Sequence, residues 1–300
     1  MAQQELVSVL VISYNSERYI IETLDSIKNQ TYERIQLVLS DDGSRDQTMK
    51  IAEEWIQKNG KRFESVKTHI NEVNRGIPNN ANQGLLLCEG SYIKLIAADD
   101  ILREECIQKN LDICEKNHWD IVFSRMEAFN SKGVVGEMPF PLDFFELSAG
   151  EQYQRLLNDN ILNAPTAFYK KKLIMDMEGF DENYIYMEDY PMWLKMLRNG
   201  VKFYGLNEIT VNYRRNESSV TSNQNDKFVS VGYFKTCKRF FYQKKFGPMI
   251  ANRCYRSLMS NLKEFLYKDL IIIFGNKKDS RATVKSVSYT HLRAHETLSD

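Results

Sequence analysis

The chain has 300 residues, 43% of them hydrophobic, with 40 basic and 40 acidic side chains and a formal net charge of zero. That supports one large domain, or one domain with an appendage. No low-complexity tract, no internal repeat and no apolar run near the roughly 18 residues of a membrane span is present. The start, MAQQELVSVLVISYN, lacks the basic opening and small-residue cleavage site of a signal peptide. Five cysteines, at 88, 106, 114, 237 and 254, are odd in number and form no CxxC pair. They fit reduced thiols in a cytoplasmic protein better than a disulfide framework or a zinc site.

The first half alternates. VSVLVI (7–12) reads as a strand, and residues 18–30 have helical spacing at Ile20, Ile21, Leu24 and Ile27. IQLVLS (35–40) is a second strand and 46–58 a helix; VKTHI (66–70) is a weaker third strand, followed by a short helix over 81–88. YIKLIA (92–97) is the fourth strand, 103–117 a helix and DIVFSRM (120–126) a fifth strand. Strand and helix in alternation predict a mostly parallel sheet covered on both faces.

Polar clusters punctuate this pattern at each strand end: SYN (13–15), DDGS (41–44), NRG (74–76) and the acids Asp99 and Asp100. In a parallel sheet all four fall on the carboxyl edge, where open α/β sheets bind ligands. Two adjacent carboxylates call for a metal ion, a basic side chain or water beside them. No GxGxxG follows the first strand and no GxxxxGK[ST] occurs anywhere, so the dinucleotide and P-loop fingerprints are absent. Carboxylates reach a phosphate through a cation, and Mg²⁺ or Mn²⁺ suits such oxygen ligands. Tyr14 can stack on a base and Asp42 can accept from a base N–H, so the pieces fit a nucleotide diphosphate with a divalent metal.

Between Lys227 and Lys278 stand twelve Lys or Arg against two acids, leaving a body near −10 with a segment near +10. The segment holds eleven aromatic residues, among them Phe240, Phe241, Tyr242 and Phe246. Its apolar residues at helical spacing either pack on the rest of the chain with lysines in water, or lie on an anionic membrane surface.

In order and spacing, VSVLVISYNSERYIIETLDSIKNQTYERIQLVLSDDGSRDQT, NRG, GSYIKLIAADD, GFDENYIYMEDYPMWLKML and YRRNESSVT, running from about residue 6 to 221, resemble the family 2 glycosyltransferases. The resemblance implies an α/β GT-A nucleotide-diphospho-sugar transferase fold, Rossmann-like and mostly parallel, with a C-terminal helical extension. It implies a catalytic domain over 1–220, with a nucleotide-sugar half to about 128 and an acceptor half over 129–220. A basic aromatic helical segment over 221–285 would follow. Tyr14, Asn15, Asp41, Asp42, Arg75 and Asp100 are expected at the nucleotide, and Asp99, matching the last acid of the family's DxD, at the metal. Asp189 matches the general base, with Glu188 supporting it. Ala97 departs from the first DxD acid and Asn216 from a frequent histidine, and the QxxRW of processive synthases is absent.

The expected activity is inverting transfer from a nucleotide sugar, a UDP-sugar first, to a hydroxyl of a glycan or lipid-linked acceptor in bacterial surface polysaccharide synthesis. No nucleic-acid partner is expected, and the place is the cytoplasm at the inner face of the membrane. A non-catalytic binding member of the same fold is the alternative. Blander roles stand beside these: Asp100 as cap of the helix near Arg103, DDGS as a turn, and Asp189 as N-cap of the helix with Pro191. Trp193, Met192 and Met196 are expected in the core, and His69 and His118 to be structural. The last residues, 286–300, read as a non-native tail.

Overall fold

The near-continuous apolar runs of the first half become strands buried on both faces, as a covered parallel sheet requires. The structure, a computed structural model, describes residues 4–215 and 229–273. Asn216, the expected boundary near 220 and the tail 286–300 lie outside the described residues, as do both ends of the basic segment 227–278.

The first half builds β1 (Val7–Ser13), α1 (Ile20–Lys28), β2 (Ile35–Asp41), α2 (Thr48–Asn59), β3 (Ser65–Ile70), α3 (Ile77–Leu87), β4 (Tyr92–Ala97), β5 (Ile101–Leu102) and α4 (Cys106–Asn117). Strands β3, β2, β1 and β4 are parallel neighbours. Their register places Ser13 opposite Asp41 and Ile12 opposite Ala97, so the polar clusters do share one edge. On one face Leu24 and Ile27 of α1, Trp55 of α2 and Ile107 and Leu111 of α4 join Val7, Val9 and Val11 in one core. On the other, α3 lies so close that a Cβ on Gly84 would stand 2.3 Å from Leu10 Cδ1. Only glycine permits that approach.

The second half adds β6 (Ile121–Asn130), β7 (Gly133–Glu137), α5 (Leu142–Glu146), α6 (Ala149–Asn158), β8 (Ala167–Lys170), α7 (Lys171–Asp176), α8 (Asp189–Arg198) and β9 (Tyr204–Arg214). The sheet runs β3-β2-β1-β4-β8-β6-β9-β5, with β7 also on β6. The fifth predicted strand is thus β6, which runs on to Asn130 and does not adjoin β4. The four-residue β8 stands between them, antiparallel to both, with Phe168 stacked on Tyr92 at 5.3 Å. α4 starts at Cys106 rather than 103, because Ile101 and Leu102 pair with β9. His118 closes it in the left-handed region, φ 55°, a structural place as expected. The α8 side chains Met192, Trp193 and Met196 are core, with Trp193 edge-on to Phe123 at 5.2 Å.

The chain divides into two compact units, Met1–Arg215 and Asn216–Asp300. In the second, α9 (Val231–Phe240), a π-helical turn (Phe241–Lys245), α10 (Phe246–Ala251) and α11 (Tyr255–Ile273) surround an aromatic centre. Phe265 lies 5.0 Å from Phe241 and 5.9 Å from Phe234. Among the described residues no helix is long and apolar enough to cross a membrane. All five cysteines are free.

Candidate active site

At the end of β1, Tyr14 is exposed, and Asn15 turns the chain in the left-handed region at φ 51°. Asn15 is pinned across the edge: its N–H donates to Ser44 Oγ at 2.7 Å, and its Oδ1 accepts from the Arg45 N–H at 2.9 Å. Asp41 and Asp42 then take different tasks. The Asp41 carboxylate is fully buried and accepts from Ser13 Oγ at 2.7 Å and from the Ser44 N–H and hydroxyl at 2.7 and 2.6 Å. It fastens the turn. Asp42 accepts from Asn71 Nδ2 at 2.9 Å, the Arg75 N–H at 2.8 Å and the Gly76 N–H at 2.8 Å. It therefore shapes the NRG loop and leaves the Arg75 side chain exposed at its rim.

That loop carries the link to the acid pair. Gly76, at φ 92°, lies against the chain at Ile185, where a Cβ would stand 2.7 Å from the carbonyl oxygen. The Ile77 N–H donates to that same oxygen at 3.0 Å. A second tie runs from Asn71 Nδ2 to Asn79 Oδ1 at 3.2 Å and from Asn79 Nδ2 to Glu182 at 2.9 Å. His69 joins it through Asn71 at 3.0 Å. The carboxyl edge at Asp42 and the 182–189 segment form one hydrogen-bonded assembly.

Glu188 is the N-cap of α8 and Asp189 its first residue, so the capping role expected of Asp189 falls one position earlier, without a side-chain cap bond. Asp189 accepts from Asn160 Nδ2 at 3.0 Å. Both carboxyls are half-buried by accessible surface yet closely surrounded by protein. Burial pushes Glu188 above the usual carboxylate range, and the neighbouring Asp189 charge adds to this. Burial raises Asp189 too, against the Tyr190 N–H and Asn160, which favour its anion. Two adjacent carboxyls, both raised, favour sharing one proton, and the Tyr190 N–H and Asn160 favour the anion at Asp189.

The second acid pair meets a cation. Arg214, the last residue of β9, donates its backbone N–H to Asp100 Oδ1 at 2.8 Å and its Nε to the Asp99 carbonyl at 2.8 Å. Its guanidinium reaches Glu22 at 2.7 Å and lies 4.5 Å from the ring centres of both Tyr19 and Phe129. Asp100 is buried and does not cap α4; burial, then the Asp99 charge, holds its carboxyl well above the usual range. Beneath it the buried Lys94 donates to the Pro165 carbonyl at 2.6 Å, and burial pushes its ammonium down. Arg214 and Asn160 are the residues missed by sequence reasoning; only the YRRNESSVT stretch pointed toward the first.

Among the described residues no three His, Cys, Asp or Glu side chains converge as a metal cage. With Ala97 at the first DxD place and Asp100 turned onto Arg214, the donor set fits a cation held by one protein carboxylate, Asp99. Diphosphate oxygens and water would complete its shell, as is usual for Mg²⁺.

A parallel-sheet edge thus carries a tight polar turn, a DD loop and a second pair of adjacent acids, tied together by hydrogen bonds. The sequence model of glycosyl transferase family 2 matches residues 8–174, and the chain belongs to that family. A Haemophilus influenzae protein described as an uncharacterized glycosyltransferase is 34% identical over 65% of this chain and 61% of its own. Escherichia coli WfgD, a UDP-Glc:α-D-GlcNAc-diphosphoundecaprenol β-1,3-glucosyltransferase, is 26% identical over 73% of this chain and 81% of its own. Staphylococcus aureus TarS, a poly(ribitol-phosphate) β-N-acetylglucosaminyltransferase, is 30% identical, and the chain spans only 32% of its length. The crystal structure of TarS with UDP-GlcNAc superposes with a TM-score of 0.61 at 22% identity, over 79% of this chain and 66% of that one. A Pyrobaculum calidifontis mannosyltransferase with GDP-Man and Mn²⁺ gives 0.56 at 17%, over 73% and 59%. The fold is the GT-A fold.

Proposed function

We propose that the chain transfers a sugar, with inversion, from a nucleotide-diphosphate donor to a hydroxyl of a glycan or lipid-linked acceptor in bacterial surface polysaccharide synthesis. The observation that carries this is the Glu188–Asp189 pair, tied through Ile185 and Glu182 to the loop that Asp42 shapes. A UDP-sugar is the first choice of donor, since WfgD and TarS are associated by name with UDP-Glc and UDP-GlcNAc. Catalysis is assigned to residues 1–220, with the nucleotide half to about 128.

Tyr14 stacks on the base, and Asn15, Asp42 and Arg75 line its pocket, while Asp41 holds the Ser44 to which Asn15 is tied and Asp100 holds the end of β9. Asp189 takes the proton of the acceptor hydroxyl as its oxygen attacks the anomeric carbon opposite the diphosphate. The carbon–oxygen bond to the diphosphate breaks and its electron pair leaves with the nucleotide. Asp99 would hold a divalent ion, Mn²⁺ or Mg²⁺, which when bound would offset charge on the departing diphosphate. The basic second unit faces an anionic membrane at the cytoplasmic side, where a lipid-linked acceptor such as that named for WfgD is met. Ala97 supports a second reading, a binding member without transfer.

Release of nucleotide from UDP-, GDP-, CDP- and dTDP-sugars, with and without Mn²⁺ and in the presence of glycan and lipid-linked diphosphate acceptors, tests both. Transfer predicts release from one donor, lost by about 10²–10⁴-fold in Asp189→Asn with donor binding retained, and metal dependence that Asp99→Ala removes. Donor binding with no release under any condition would establish the second reading.

A further inference from the structure

One face of α11 has no use in the packing of its unit. Leu258, Phe265 and Ile271 of this helix are buried, with Phe265 at the aromatic centre. On another side Tyr255, Met259, Leu266, Leu270 and Ile273 are between 44% and 72% exposed, and Leu262 is partly so. The other five positions follow Tyr255 by four, seven, eleven, fifteen and eighteen residues. At about 100° per residue they fall in a band about 80° wide, running about 27 Å along the helix. A solvent-facing helix side would be polar.

We propose that this stripe of α11 is the surface by which the protein rests on an anionic lipid bilayer, a partner assignment that rests on the membrane-facing reading of this unit given above. Charge selects this occupant over a second copy of the chain. Residues 229–273 hold six Lys and three Arg against Glu264 and Asp269, so two such surfaces repel while a negative headgroup layer attracts. Arg256 and Lys263, both exposed, each follow a stripe residue by one position and so border the band along one side. A narrow apolar band with a basic border is the form of a helix that lies in the interface plane. The helix carries too many polar residues to span.

Co-sedimentation of the full chain with phosphatidylglycerol–phosphatidylcholine vesicles, against phosphatidylcholine alone, tests the assignment. Binding is expected to the anionic vesicles only, weaker at high salt, and at least tenfold weaker in Leu266→Glu/Leu270→Glu. Circular dichroism and nucleotide release are expected to match the parent; if helicity falls, Met259→Ser/Leu266→Ser replaces the variant. Equal vesicle binding by parent and variant overturns the assignment of this face and leaves the membrane-facing reading standing. No binding by the parent overturns both. A dimer that the substitutions dissolve, without vesicle binding, assigns the stripe to a second copy instead.

Discussion

Replacing Glu188 by glutamine removes a proton whose place in the folded state is unusual. In the unfolded chain this carboxyl loses its proton near 4.5, whereas burial and the Asp189 charge move the folded value to about 8. Between those values the unfolded state binds fewer protons than the folded one, so the wild-type contribution is fully present below 4.5 and is lost as pH rises through 8. Carried in full, the shift costs the folded state about 4–5 kcal/mol at alkaline pH. Partial exposure of the carboxyl and the charge it shares with Asp189 reduce this to about 2 kcal/mol. Glutamine copies the protonated form, so Glu188→Gln is expected to match the parent near about pH 4.5 and exceed it by about 2 kcal/mol near about pH 9. Urea unfolding at the two pH values reads the difference, and Asp100, buried in both proteins, cancels from it. Nucleotide release near neutral pH is expected to stay within about tenfold of the parent if the base is Asp189, as proposed. A stability difference that is the same at both pH values would falsify the shared-proton account of the pair.

Two further substitutions test the scaffold around the site. Gly76→Ala forces a side chain into positive φ against the Ile185 carbonyl, and is expected to cost about 2 kcal/mol or more in thermal unfolding; a loss under about 0.5 kcal/mol would mean that the loop is not held there. Arg214→Met removes the bonds to Asp99 and Glu22 and both ring contacts, an expected loss of about 3 kcal/mol. Arg214→Lys is expected to recover less than half of it, since lysine lacks the planar fork; full recovery would reduce the role to charge alone.

Strands β1, β2 and β4 were legible because both faces of each are covered, which writes burial into an unbroken apolar run, whereas the half-exposed edge strand β3 was only weakly legible. β8 was not, because four residues of AFYK carry no period and their antiparallel placement depends on Tyr92 and Lys94 far away in sequence. The edge residues from Tyr14 to Asp100 were legible as polar breaks at strand ends, but their tasks were not: whether Asp41 faces a ligand or a turn depends on where Ser13 and Ser44 stand. Near Asp99 and Asp100 stands Arg214: its backbone N–H meets the Asp100 carboxylate and its side chain the Asp99 main-chain carbonyl. Nothing local to the two acids announces a partner more than a hundred residues later.

That distance bears on how the protein is made. Synthesis proceeds from the N-terminus, and the earliest elements settle first. β9 fills the gap between β6 and β5, so until it has left the ribosome one long edge of β6 offers unpaired backbone groups to any passing strand. The stretch matched by the family stops at residue 174, before β9, and taken alone would leave that edge open. The arrival of β9 both closes that edge and brings Arg214, whose backbone N–H meets the Asp100 carboxylate and whose guanidinium pairs with Glu22.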